Sequence, residues 1–119
     1  MLFQSLDAAR SGAAGGLVAV ADSQSAGRGR LGRSWQAPVG GSLLVSVLLR
    51  PSSPPDTWPT LVGCAGLAAV DVLTTCCDLP AQLKWPNDVV VGDAKIAGVL
   101  AESTGEAVVV GMEIGRAHV

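Results

Sequence analysis

The stretch SAGRGRLGRSW, residues 25–35, gathers Arg28, Arg30 and Arg33 among Gly27, Gly29 and Gly32. Guanidinium groups are planar, forked donors suited to carboxylate and phosphate. Glycine leaves a backbone many accessible states, so the segment reads as a loop that is mobile when empty and closes over an anionic ligand. A second cluster lies in LKWPNDVVVGDAKIAGVLAE, residues 83–102, which carries Lys84, Asn87, Asp88 and Lys95. Lys84 can meet a phosphate as a point charge. Asn87 can ligate Mg²⁺ through its side-chain carbonyl oxygen, and Asp88 can bind a cation or accept a proton. Taken singly, each of the four reads as an ordinary charge or polar group at a strand end. Beside the arginine loop they read together as a site for a small anion.

The segment GRGRLG (27–32) also fits the G-x-G-x-x-G spacing of a dinucleotide-binding turn, and it follows a predicted strand. The context argues against that reading. Those glycines should open a helix, whereas here they run into RSWQAPVGG, where Pro38, Gly40 and Gly41 oppose one. The intervening positions are arginines, while that fingerprint relies on backbone N–H groups and a helix terminus.

A chain of 119 residues suffices for one modest domain. The mean hydropathy of +0.44 excludes a disordered polar tail. With 10 acidic against 8 basic residues and a net charge of −2, no general attraction to nucleic acid or to anionic lipid is expected. Three of the eight cations lie within six positions, which favours a small ligand over a polymer. Cys64, Cys76 and Cys77 form neither a disulfide framework nor a zinc motif and suit a reducing, cytoplasmic setting. The N-terminal MLFQSLDAAR lacks the pattern of a signal peptide, and no apolar window is long enough to span a bilayer.

Elements that could position the two clusters follow from periodicity. LVAVAD (17–22) and SLLVSVLLR (42–50) read as strands, with PSSPPD (51–56) as a loop. Residues 57–76, small and apolar with Pro59 near the start, predict a buried helix. AQLKW (81–85) predicts a strand cut by Pro86. VVV and KIAGVLAE flank the turn GDA as a hairpin, and AVVVGM (107–112) adds a last strand. Sequential late hairpins with few helices predict an α+β domain with a mixed or antiparallel sheet.

ADSQSAGRGRLGRSW, GGSLLVSVLLRP, LKWPNDVVV and KIAGVLAE occur in the order and approximate spacing of the catalytic domain of biotin protein ligases, which residues 17–111 resemble. The resemblance implies two steps. Biotin's carboxylate attacks the α-phosphate of Mg-ATP to give biotinyl-5'-AMP and pyrophosphate, and a lysine of a biotin carboxyl carrier domain then displaces AMP. It further implies that Gln24, Arg28, Gly29, Arg30 and Lys95 bind biotin, with Lys95 at the carboxylate end. Arg30, Arg33, Trp35, Lys84 and Asn87 would serve ATP, with Asn87 also touching Mg²⁺. Arg30, Lys84, Asp88 and Lys95 would be the catalytic set, Asp88 orienting or deprotonating the incoming lysine.

Two departures accompany the resemblance. The given residues are expected to begin inside the helix that follows the family's Ser/Thr-Thr-Asn segment, so that segment is not expected among them, and no winged-helix DNA-binding domain is expected. The expected G-I-G-x-N is replaced by EIGRAHV, residues 113–119, which a common sequencing-library adapter can encode. Residues 1–112 are therefore expected to be a partial catalytic domain and 113–119 a non-native tail, in which His118 has no role. A lipoate protein ligase and a noncatalytic biotin- or nucleotide-binding module are the rival readings.

Overall fold

The computed structural model describes residues 2–23 and 40–115. Helix α1 (Leu2–Arg10) precedes strands β1 (Val18–Ala21) and β2 (Ser42–Leu49). A 3-10 turn (Pro55–Thr57) leads into α2 (Thr60–Cys76), followed by β3 (Ala81–Lys84), β4 (Asp88–Val91), β5 (Ala94–Thr104) and β6 (Ala107–Gly115). The six strands form one sheet in the order β1-β2-β6-β5-β4-β3. Every pairing is antiparallel, which meets the α+β expectation in its antiparallel form.

Two tight turns set the late hairpins. Gly92, at φ 59°, takes the left-handed first position of the two-residue β4–β5 turn, where a side chain would be strained. Gly105, at φ 57°, does the same between β5 and β6. The last strand then passes between β5 and β2, so β6 lies inside the sheet. The run Ala107–Val110 is accordingly buried on both sides of the sheet.

The two helices cover opposite faces. Leu6 and Ala9 of α1 pack with Leu48, Ala107 and Val109, the buried leucine and valine side chains each contributing about 1.5–3 kcal/mol. On that face Ser5 Oγ and Ser46 Oγ share a buried hydrogen bond of 2.6 Å. Arg50, just past β2, donates from Nε to the Ala13 carbonyl and from Nη2 to the Ala9 carbonyl, both at 2.9 Å. A cation placed on the last carbonyls of a helix satisfies orphan acceptors and complements the helix dipole.

On the other face, Ala69 and Leu73 of α2 pack with Ala81, Val89 and Ala97. Gly66 lets α2 approach the sheet, for a Cβ there would meet Leu83 Cδ2 at 2.5 Å. The helix begins at Thr60, later than the composition predicts, after the 3-10 turn and with Pro59 at the N-cap position. It is also less buried than predicted. Only the stripe Gly66, Ala69 and Leu73 is covered, while Leu67 and Val72 are 55% and 52% exposed. A single helix on one sheet face buries one stripe whatever the polarity of its back. The β1–β2 end of this face is likewise open, with Val18, Val20 and Leu43 exposed.

Candidate functional site

Lys84, Asn87, Asp88 and Lys95 come together at one end of the sheet. Lys84 is the last residue of β3 and Asp88 the first of β4, and the two are direct cross-strand partners. Side chains of such partners lie on the same face. Pro86, which cannot donate to a ladder, ends β3 and forms the turn with Trp85 and Asn87. The Trp85–Pro86 peptide bond is cis, and the Trp85 ring is largely exposed.

The turn is fastened to the third strand. Val99 N donates to the Asn87 carbonyl at 2.9 Å, and Asn87 Nδ2 donates to the Val99 carbonyl at 3.1 Å. Asn87 therefore does structural service that its residue type alone does not announce.

Lys95 reaches the site through the hairpin register. Across the two-residue turn Val91 opposes Ala94 and Val90 opposes Lys95, so Lys95 shares the face of Val90 and of Asp88. Its Nζ lies 3.1 Å from Asp88 Oδ1. Beyond Lys95 the register shifts between Val89 and Val90, with Ile96 as the extra residue, so that Val89 opposes Ala97 and Asp88 opposes Gly98. The pair is partly exposed, 34% and 25% for the two side chains, so it stays within reach of a ligand.

Gly98, opposite Asp88, brings no side chain over this patch. Glycine inside a strand often marks a close approach by a ligand or a backbone. A search for chemistry-bearing residue types passes over it, although its place in KIAGVLAE carries that signal.

Gln24, Arg28, Gly29, Arg30, Arg33 and Trp35 lie outside the described residues. Among the described residues, no three His, Cys, Asp or Glu side chains are grouped to hold a metal ion. Asn87 keeps Oδ1 as a single neutral donor once Nδ2 is bonded to Val99. This fits a Mg²⁺ that arrives on a nucleotide with phosphate and water ligands, rather than an ion caged by protein.

A cavity of about 760 Å³ lies beside α2, with Trp58, Gly63, Leu67, Trp85, Val99 and Val108 among its walls. Lys84, Asp88 and Lys95 are not part of its lining, and its mostly apolar walls do not suit an anion. No helix among the described residues is long and apolar enough to cross a membrane.

An antiparallel sheet flanked by helices, with a lysine–aspartate pair and a second lysine at one sheet end, defines an α+β domain equipped for an anionic small molecule. Residues 5–117 match the model of the biotin/lipoate A/B protein ligase family, and the chain belongs to that family. It is 41% identical over 101 residues to the biotin–[acetyl-CoA-carboxylase] ligase of Mycobacterium tuberculosis, covering 82% of this chain and 38% of that protein. To the bifunctional ligase/repressor BirA of Bacillus subtilis it is 36% identical over 98 residues, covering 82% of this chain and 30% of that protein. The biotin protein ligase of Aquifex aeolicus, solved in complex with biotin and ATP, superposes with a TM-score of 0.76 at 39% identity, over 85% of this chain and 43% of that one. The chain thus spans well under half the length of each of these three relatives.

Proposed function

We propose that this chain supplies part of the catalytic domain of an ATP-dependent biotin protein ligase. The reaction activates biotin as biotinyl-5'-AMP and passes it to a lysine of a biotin carboxyl carrier domain. The observation that carries the reading is the Lys95–Asp88 pair beside Lys84, three charged residues that fall within the KWPND and K-x-A-G motifs. The relatives' names and the biotin–ATP complex of the Aquifex protein support it.

In the first step a biotin carboxylate oxygen bonds to the α-phosphorus of Mg-ATP, and the bond to the β-phosphate bridging oxygen breaks, releasing pyrophosphate. Two anions must approach each other, so fixed cations at the meeting point lower the barrier. Lys95 would hold the biotin carboxylate and Lys84 a phosphate. Arg28, Arg30 and Arg33 would add charge from the loop, with Gln24 and Gly29 against biotin and Trp35 beside the adenylate. Mg²⁺ would enter with ATP, near Asn87, and offset phosphate charge. In the second step the lysine ammonium loses one proton, its nitrogen bonds to the acyl carbon, and the acyl–oxygen bond to AMP breaks. The new amide nitrogen then releases a second proton. Asp88 would accept or orient the first of these protons.

Exchange of labelled pyrophosphate into ATP by the full-length protein tests the assignment. Biotin-dependent exchange supports it; lipoate-dependent exchange would make the enzyme a lipoate ligase, and no exchange with either would leave a binding module. The three cysteines are free and exposed, which supports a cytoplasmic setting. We propose that residues 113–119 are a non-native tail, because they replace the expected G-I-G-x-N, even though Glu113, Ile114 and Gly115 continue β6 and the family match runs to residue 117. Independent genomic reads that reproduce the same seven codons would overturn this.

A further inference from the structure

We propose that in the full-length protein the cavity beside α2 is filled by a further apolar segment of the same polypeptide, packed closely against Gly63; the proposal rests on the reading of this chain as part of a larger catalytic domain. Thr60, Gly63, Cys64 and Leu67 all line the cavity. Their spacing, i, i+3, i+4 and i+7, puts them on one side of the helix. That side is distinct from the stripe of Gly66, Ala69 and Leu73 that meets the sheet. Helix α2 therefore carries two packing faces, and the described residues cover one of them.

The two glycines of α2 separate the faces. A Cβ at Gly66 would run into Leu83, whereas a Cβ at Gly63 would meet nothing within 4 Å among the described residues. Glycine weakens a helix relative to alanine, and its use there is to let a neighbour come close. At Gly66 the neighbour is the sheet. At Gly63 the neighbour lies outside the described residues, on the side where the cavity opens. Trp85, another wall of the cavity, is 89% exposed, and Leu67 is more than half exposed.

The chemistry of the walls favours a permanent occupant from the same chain. They are mostly apolar, the character of a surface closed once on folding, while surfaces that meet transient partners are more polar. An apolar hollow of about 760 Å³ left open would be an association hazard. The matched stretch is 38% of the Mycobacterium tuberculosis ligase and 43% of the Aquifex aeolicus chain, so proteins of this family carry ample further chain to supply the segment. A glycine on a helix face suits an occupant whose backbone packs along α2, interdigitating with Thr60, Cys64 and Leu67.

Cys64 makes the proposal measurable, because it lines the cavity, while Cys76 and Cys77 lie at the far end of α2. All three are free and exposed in this chain. In the native full-length protein, at a dilution shown by sedimentation to be monomeric, iodoacetamide should alkylate Cys64 at least about tenfold more slowly than Cys76 and Cys77, read by peptide mass spectrometry. In urea the three rates should converge. Gly63→Ala should lower the urea midpoint of the full-length protein, whereas alanine at an open helical position raises it. Equal alkylation of the three cysteines in the native protein, or a raised midpoint for Gly63→Ala, would overturn the proposal. Protection of Cys64 that appears only at concentrations where the protein dimerises, or only when a carrier domain is added, would overturn it too, by giving the cavity to a second copy or to the acceptor. Biotin-dependent pyrophosphate exchange on the same preparation reports separately: its absence removes the ligase reading, while the alkylation rates still decide the packing.

Discussion

Asn87 and Val99 are joined twice, through Val99 N to the Asn87 carbonyl and through Asn87 Nδ2 to the Val99 carbonyl. The turn between Lys84 and Asp88 is thereby tied to β5, four residues beyond Lys95. Asn87→Asp would set a carboxylate oxygen against the Val99 carbonyl, acceptor against acceptor. A loss of about 1–3 kcal/mol is expected, read by denaturant unfolding of the full-length protein. Stability equal to wild type would mean that the side-chain bond adds nothing to the backbone one.

Lys95→Ala should weaken biotin binding and adenylate formation far more than ATP binding, since its ammonium is assigned to the biotin carboxylate. Removing one partner of a buried charged hydrogen bond costs about 2–5 kcal/mol, and partial exposure puts this pair toward the lower end. Separate titrations with biotin and with ATP check it. Equal losses for the two ligands would take Lys95 out of the biotin site.

Ser5 and Ser46 are each nearly inaccessible and bonded to each other. Ser46→Ala leaves the Ser5 hydroxyl buried without this partner, at a cost of about 1–3 kcal/mol. Replacing both with alanine should cost less than the two single changes added together, because the second change removes the orphan left by the first. A double-mutant cycle by urea denaturation measures the difference, and strict additivity would contradict the bond.

Arg50 ties the last turn of α1 to the end of β2 through the Ala9 and Ala13 carbonyls. Arg50→Ala should lower stability by about 1–2 kcal/mol and speed amide exchange within α1, leaving β5 and β6 protected. Arg50→Lys should recover only part of this, as an ammonium lacks the fork that spans two carbonyls. Uniform loss of protection over the sheet would point to a wider role.

What the sequence determined by itself was local. SLLVSVLLR reads as a strand from its own apolar run, Pro86 ends β3, and GD carries the chain from β4 to β5. Each depends on residues a few positions apart, which is why each can be read without the fold. The family could be read as well, because KWPND and GRGR-x-GR-x-W are contiguous motifs.

Tertiary structure alone decided three other things. The insertion of β6 between β2 and β5 depends on which edges remain unpaired after the hairpins form, and no local pattern encodes that. The outer side of α2 is as apolar as its packed stripe, so composition predicts burial all round, while the sheet offers only one face to cover. Finally, the shift between Val89 and Val90 sets Gly98 opposite Asp88, where the two-residue turn alone would set Ala97, because one extra residue in a strand of period two changes the face of every side chain on one side of it.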